Sequence, residues 1–271
     1  MSSVDPRPLG VFDSGVGGLT VLRALRARLP AESTVYLGDT ARVPYGTKSA
    51  EVVTRYAELN AAFLLSLDIK LLVVACNTAS AVALPALRAA TGIPVVGVIE
   101  PGARAAAARS RSGVVGVLGT PGTIRSGAYQ QILAVARPGL TVQAQACPLF
   151  VPLAEEGWLT GDVPRLVAER YLLPWRGTGV DTVVLGCTHY PLLRGVLSEV
   201  LGAEVTLVDS AEATAETVAR LLAAGPTRPA PAGKGEDRFY VTDVPDRFLE
   251  VSTRFLGTRV VHAEQVDLPL G

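Results

Sequence analysis

Short runs of Val, Leu and Ile alternate with longer stretches of helical periodicity along nearly the whole chain. Continuous apolar runs read as strands covered on both faces. Apolar residues spaced three and four apart read as helices with one buried side. The pattern predicts strands at 9–12, 34–37, 71–75 and 94–99, separated by helices at 17–29, 50–67 and 79–90. Pro85 inside the third helix predicts a kink or a restart. The rhythm begins again with strands at 113–118, 142–144, 182–185 and 205–208, and helices at 125–134, 163–171, 192–201 and 211–224. A stretch rich in Pro, Gly and Ala at 225–237 reads as a loop. A strand at 238–242 and a helix at 246–256 follow, a tail expected to pack back on the first lobe.

This alternation predicts an α/β fold with two pseudo-symmetric αβα lobes and mostly parallel sheets. The restart near residue 100 divides the chain, and a short internal echo accompanies it. Phe12-Asp13-Ser14-Gly15 closes the first strand of one half as Leu118-Gly119-Thr120-Pro121 closes that of the other. Val74-Ala75-Cys76-Asn77-Thr78 likewise mirrors Leu185-Gly186-Cys187-Thr188-His189. If the echo reflects a repeat, an approximate two-fold relates the lobes and the two cysteines face each other across a cleft.

Composition narrows the class. The chain has 271 residues, 49% hydrophobic and 18% charged, which suits a compact enzyme of one large domain or two modest ones. Lys plus Arg balances Asp plus Glu at 25 each, so neither a nucleic-acid surface nor a polybasic membrane patch is expected. The basic run 104–111 is broken by alanine and reads as an exposed helix face. Residues 1–8 lack the basic-then-apolar order of a secretory signal, and no apolar stretch reaches transmembrane length. Three widely spaced cysteines with no export signal read as free thiols in the cytoplasm.

Ligands of parallel sheets collect at the carboxyl ends of strands. Four polar clusters fall there: Asp13-Ser14, Asp39-Thr40, Cys76-Asn77-Thr78 and Cys187-Thr188-His189. Each precedes a helix, whose free N–H groups favour anions and raise the thiolate fraction of a cysteine. Cys76 and Cys187 therefore read as reactive, and Cys147, between Ala146 and Pro148, as inert. His189 lies two residues after Cys187, where it is able to hold a thiol proton or polarise a carboxylate, whereas His262 reads as structural or exposed. Asp13 is either a helix cap or a carboxylate steering the proton of Cys76. Pro44-Tyr45-Gly46 is either a plain turn or a loop whose N–H groups and Tyr45 side chain hold a carboxylate. Glu155 and Glu156 read as a surface helix turn.

Other chemistries fit less well. Gly15-x-Gly17-Gly18 imitates a dinucleotide loop, but its third glycine is missing and Asp13 would put negative charge at the phosphate. No Walker sequence, nucleophile elbow or zinc-ligand spacing occurs. A pyridoxal lysine stays open by pattern, although no lysine stands at a strand end. Three classes remain: a two-thiol proton-transfer enzyme, a hydrolase or transferase using Cys187 and His189, and a non-enzymatic binding module on the same two-lobed scaffold.

Five stretches taken together, 10–21, 36–46, 75–79, 96–102 and 185–193, resemble the glutamate racemases of bacterial cell-wall synthesis. They occur in the family's order and cover about residues 9–256. The Asp-Ser-Gly-x-Gly-Gly form at 13–18 and Cys-Thr-His-Tyr-Pro at 187–191 favour the glutamate branch over the related aspartate and hydantoin racemases. The resemblance implies a cofactor-independent isomerase that supplies D-glutamate for peptidoglycan, with its site between two lobes, 1–99 plus 211–271 and 100–210. It implies Cys76 and Cys187 as the acid/base pair, Cys76 serving D-glutamate with Asp13, and Cys187 serving L-glutamate with His189 and Glu155. It implies substrate contacts at Asp13, Ser14, Tyr45, Gly46, Asn77, Thr78, Thr188 and His189, and no metal. Glutamate is the expected partner, without nucleic acid or membrane. A homodimer is one option for the assembly, and aspartate racemisation is the nearest alternative activity.

Overall fold

The computed structural model describes residues 5–224 and 233–268. Its strands in chain order are β1 (Leu9–Asp13), β2 (Thr34–Gly38), β3 (Leu71–Val74), β4 (Val95–Gly97), β5 (Val114–Gly119), β6 (Thr141–Ala146), β7 (Thr182–Gly186), β8 (Thr206–Asp209), β9 (Asp237–Val241) and β10 (Glu264–Gln265). The helices are α1 (Leu19–Arg28), α2 (Ala50–Ser66), α3 (Asn77–Val82), α4 (Leu84–Ala90), α5 (Ile99–Arg109), α6 (Pro121–Ser126), α7 (Ala128–Ala136), α8 (Phe150–Glu156), α9 (Asp162–Leu172), α10 (Arg194–Leu201), α11 (Ser210–Ala224) and α12 (Asp246–Leu256).

The strands form two sheets, ordered β10-β9-β2-β1-β3-β4 and β6-β5-β7-β8. Every neighbouring pair is parallel, so the sheets are wholly rather than mostly so. Four strands of the first sheet, β2-β1-β3-β4, repeat the order of the second, β6-β5-β7-β8. In each the chain steps outward from the first strand, then returns to its other side. That reversal leaves a crevice at the carboxyl ends of β1 and β3, and of β5 and β7.

Both faces of the sheets are covered, as continuous apolar strands require. Leu71 and Val73 point into a core shared with α1, α11 and α12, while Leu72 and Val74 meet Phe12 and the α2 side. In the second sheet Val183 and Leu185 pack with Phe150 and Trp175, and Val184 packs on the opposite face with Ile99 and Ala103 of α5. The chain crosses between sheets twice. Helix α5 leaves β4 and packs on the second sheet, and α11 leaves β8 and packs with α1 of the first.

Local differences from the sequence pattern have simple causes. The helix expected at 79–90 is two, α3 and α4, with Pro85 in the first turn of the second. That expected at 125–134 is also two, parted at Gly127 with φ +67°, a left-handed conformation that glycine adopts without strain. The strand expected at 94–99 stops at Gly97, where the Val98 N–H turns to the Ser80 hydroxyl and the chain enters α5. The tail returns to the first lobe by adding β9 beside β2. Of the loop expected at 225–237, residues 225–232 lie outside the described residues, and Asp237 already belongs to β9. Among the described residues no helix is long and apolar enough to cross a membrane.

Candidate active site

The first half of the site gathers at the ends of β1 and β3. Asp13 ends β1, fully buried, and accepts a hydrogen bond from the Gly15 N–H at 3.0 Å. Its Oδ1 has no hydrogen-bond partner among the described residues. Burial pushes this carboxyl above its ordinary range, against the charge of His189 and the Gly15 bond. Cys76 follows β3, with its sulfur 3.7 Å from the Ser14 hydroxyl. Burial, then the charge of Asp13, drives its thiol up to about 12. The start of α3 acts in the expected sense, since the Ala79 N–H lowers the value, but desolvation outweighs it. Cys76 therefore rests as a neutral thiol.

The second half follows β7. His189 Nδ1 lies 3.8 Å from the Cys187 sulfur and 3.4 Å from the Thr188 hydroxyl. Its Nε2 lies 2.9 Å from Glu155 Oε1 on α8. Burial alone would lower the imidazole, but hydrogen bonds to Cys187 and Glu155 outweigh it and carry the value up to about 10. With its value so raised, the ring carries a proton at neutral pH and places positive charge beside the Cys187 sulfur. For Glu155, burial is outweighed by the bond and charge of His189, which hold the carboxyl below its usual range. The adjacent Glu156 faces outward and pairs with Arg247 at 2.6 Å. Helix α12 braces this half: Phe255 sets its ring edge-on to His189 at 5.1 Å, and the Arg254 guanidinium donates to the Glu155 carbonyl.

The halves meet across a closed cleft. The Thr20 hydroxyl donates to the Thr188 carbonyl at 3.1 Å. A Cβ at Gly17 would sit 2.3 Å from the Thr188 hydroxyl and 2.5 Å from the His189 ring, so only glycine permits this approach. On the other side the Thr78 hydroxyl lies 2.9 Å from that of Thr120 and 3.3 Å from that of Thr123. A Cβ at Gly46 would come within 2.6 Å of Thr120 Cβ. Cys76 and Cys187 are 5% and 6% exposed, and charge on Cys187 is among the influences that raise Cys76.

Asp13, Ser14, Cys76, Asn77 and Thr78 thus converge from the first lobe on Cys187, Thr188, His189 and Glu155 of the second. Tyr45 is the exception among the expected site side chains. Its hydroxyl donates to the Asp39 carboxylate and accepts from Asn60 Nδ2 at 3.1 Å, and its ring packs among Phe12, Leu37 and Val53. It anchors the loop that carries Gly46, and Asp39, also bound by the Thr242 hydroxyl at 2.8 Å, is the fixed end of that anchor. Thr120 and Thr123 were not singled out from the sequence. The internal echo points to the first, because it aligns Thr120 with Ser14. Cys147 is buried, its thiol facing the Gln145 carbonyl at 3.6 Å, and fits the inert reading. Among the described residues no group of three or more His, Cys, Asp or Glu is gathered as metal ligands would be.

The chain is similar to known proteins over nearly its whole length. A family model described as Asp/Glu/Hydantoin racemase matches residues 19–218. The glutamate racemase of Geobacter metallireducens is 58% identical over 262 residues, covering 97% of each chain. The crystal structure of glutamate racemase from Francisella tularensis in complex with D-glutamate superposes with a TM-score of 0.91 at 38% identity, covering 98% of this chain and 99% of that one. The Escherichia coli glutamate racemase, in complex with L-glutamate and the activator UDP-MurNAc-ala, superposes with a TM-score of 0.80 at 35% identity, covering 97% and 100%. With two like-ordered parallel sheets, and a thiol at the end of the third strand of each repeated order, the chain belongs to the Asp/Glu/hydantoin racemase family, among its glutamate racemases.

Proposed function

We propose that the chain interconverts L- and D-glutamate, with Cys76 and Cys187 exchanging the Cα proton from opposite faces and no cofactor taking part. The pairing of two buried thiols at equivalent strand ends, each with its own polar partners, carries this reading. The named activity of the relatives and the two glutamate enantiomers bound in two of them support it. A hydrolase built on Cys187 and His189 would leave Asp13, Ser14 and Cys76 without a task.

Inversion needs a base on one face of Cα and an acid on the other. In the L-to-D direction Cys187, as thiolate beside the imidazolium, takes the Cα proton and becomes a thiol. Cys76, a thiol at rest, delivers its proton to the opposite face and is left as thiolate. Burial and the nearby Asp13 charge disfavour that thiolate, so after product leaves Cys76 takes up a proton and Cys187 gives one up, which returns both sulfurs to their starting states. The D-to-L direction runs the same steps backwards from the Cys76 thiolate.

Ser14, Asn77, Thr78, Thr188 and the Gly46 N–H hold the two carboxylates, joined by Thr120. Asp13, whose Oδ1 has no hydrogen-bond partner among the described residues, accepts the substrate ammonium. Fixing Cα between the sulfurs supplies several kcal/mol of orientation, and exclusion of water strengthens each dipole around the developing charge. The lobes, 1–99 plus 211–271 and 100–210, part to admit substrate and close on it. The product D-glutamate serves peptidoglycan. The reaction belongs in the cytoplasm, where thiols stay reduced. A homodimer is the assembly to test by sedimentation against the 28.3 kDa chain mass.

The test is proton NMR in deuterium oxide with L-glutamate, D-glutamate and, as control, aspartate. Both glutamates are expected to lose their Cα–H signal and to racemise without added pyridoxal phosphate or metal. Equal turnover of aspartate, or no turnover without a cofactor, would overturn the assignment.

A further inference from the structure

One side chain outside the substrate-contact set touches both cysteine loops. Tyr129 stands in the first turn of α7 and is wholly buried. Its hydroxyl lies 2.7 Å from Asn77 Oδ1, the residue after Cys76. The same hydroxyl lies 3.1 Å from Ser210 Oγ, at the start of α11. Its ring lies against Gly186, the residue before Cys187, where an added Cβ would be 3.0 Å from the ring. Ser210 in turn presses on the other crossing between the sheets, because a Cβ at Gly102 of α5 would be 2.3 Å from its hydroxyl. Tyr129 therefore joins α3 of the first lobe, β7 of the second and both crossings at one buried point.

The hydrogen-bond chemistry gives this contact a direction. A phenol donates its single proton, and the carbonyl oxygen of the Asn77 amide accepts it, while the Ser210 hydroxyl is free to donate to the phenol oxygen. With Oδ1 so engaged, the Asn77 amide cannot exchange its oxygen and nitrogen ends without placing N–H₂ against the phenol proton. The NH₂ group is thereby committed to the opposite side as a donor. Resting on the two-thiol reading above, we propose that Tyr129 is a positioning residue, which sets the Asn77 amide as a donor to substrate and keeps the Cys76 and Cys187 loops in register.

The experiment is a double-mutant cycle on kcat/KM with Tyr129→Phe and Asn77→Ala, alongside Ser210→Ala. Tyr129→Phe keeps the ring against Gly186 and removes only the hydroxyl. Losing one buried hydrogen bond that orients a substrate group corresponds to a fall in kcat/KM of about tenfold. In the Asn77→Ala background the same change is expected to cost less than about twofold, because the group through which Tyr129 acts is gone. Ser210→Ala leaves the Tyr129–Asn77 bond in place and is expected to stay within about threefold of the parent. Tyr129→Phe kinetics equal to the parent's, a full tenfold loss repeated in the Asn77→Ala background, or a loss with Ser210→Ala as large as with Tyr129→Phe would each overturn the inference. The two-thiol reading is judged separately, on the cysteine variants, and survives any of these results.

Discussion

Replacing Glu155 by Gln should lower the proton affinity of His189 and shift the alkaline limit of catalysis. The substitution keeps the shape of the side chain and removes its charge. At the observed 2.9 Å, two unit charges interact by about 6 kcal/mol at an effective dielectric of 20 and by about 1.4 kcal/mol in water. The Glu155 side chain is 38% exposed, so solvent screening places the pair near the lower bound, at roughly 2 kcal/mol. That is about 1.5 pKa units, which would bring His189 from about 10 to roughly 8.5. A ¹⁵N-imidazole titration should show the shift directly, and the alkaline limb of kcat/KM for L-glutamate should move in the same direction, by less where the substrate ammonium already sets the parent's limb. Stability should follow with a definite sign. Folded His189 binds its proton more tightly than its ordinary 6.5 allows, so its contribution is complete below about 6.5 and is lost as pH rises through about 10. The variant should lose that contribution at lower pH. A titration and an alkaline limb identical in the two proteins would refute the coupling of Glu155 to His189.

Two further substitutions separate site geometry from stability. Gly46→Ala sets a methyl 2.6 Å from Thr120 Cβ, and an overlap of that kind costs about 1–3 kcal/mol. Initial-rate assays should show kcat/KM reduced about 5- to 150-fold, with the melting temperature almost unmoved because the free lobes part to relieve the overlap, and parental rates would show that the lobes do not close as tightly in turnover. Lys70→Met acts at the far ends of the strands, removing the cation bound to Glu32 at 2.6 Å and to the Asp5 carbonyl at 2.7 Å. Breaking this buried pair should destabilise the fold by about 3–5 kcal/mol in urea titrations, while kcat per folded molecule stays put; a change below about 1 kcal/mol would contradict the assigned burial cost.

The sheets and the two cysteine loops were legible because the signal lies within each segment. A run such as Val183-Val184-Leu185 ending in Gly186-Cys187 states strand, burial and strand end together. The repeated strand order gives the short echo between residues 12–15 and 118–121 a structural counterpart. What stayed hidden depends on contacts between distant segments. Tyr45 lies in a loop whose pattern does not fix its direction, and only the buried Asp39 and Asn60 turn it into the core. Tyr129 looks like any aromatic on an apolar helix until the second lobe brings it to Asn77. The thiol of Cys76 was expected to benefit from the start of α3. How far the closed lobes bury it, and so reverse the balance, is a property of the assembled fold.

The central claim is that each sulfur serves one face of one carbon. Its most direct measurement follows Cα deuteration and optical purity together, for Cys76→Ala and Cys187→Ala in deuterium oxide. Cys76→Ala should exchange the Cα–H of L-glutamate without forming D-glutamate, and Cys187→Ala should exchange that of D-glutamate without forming L-glutamate. Full racemisation by either single variant would contradict the account.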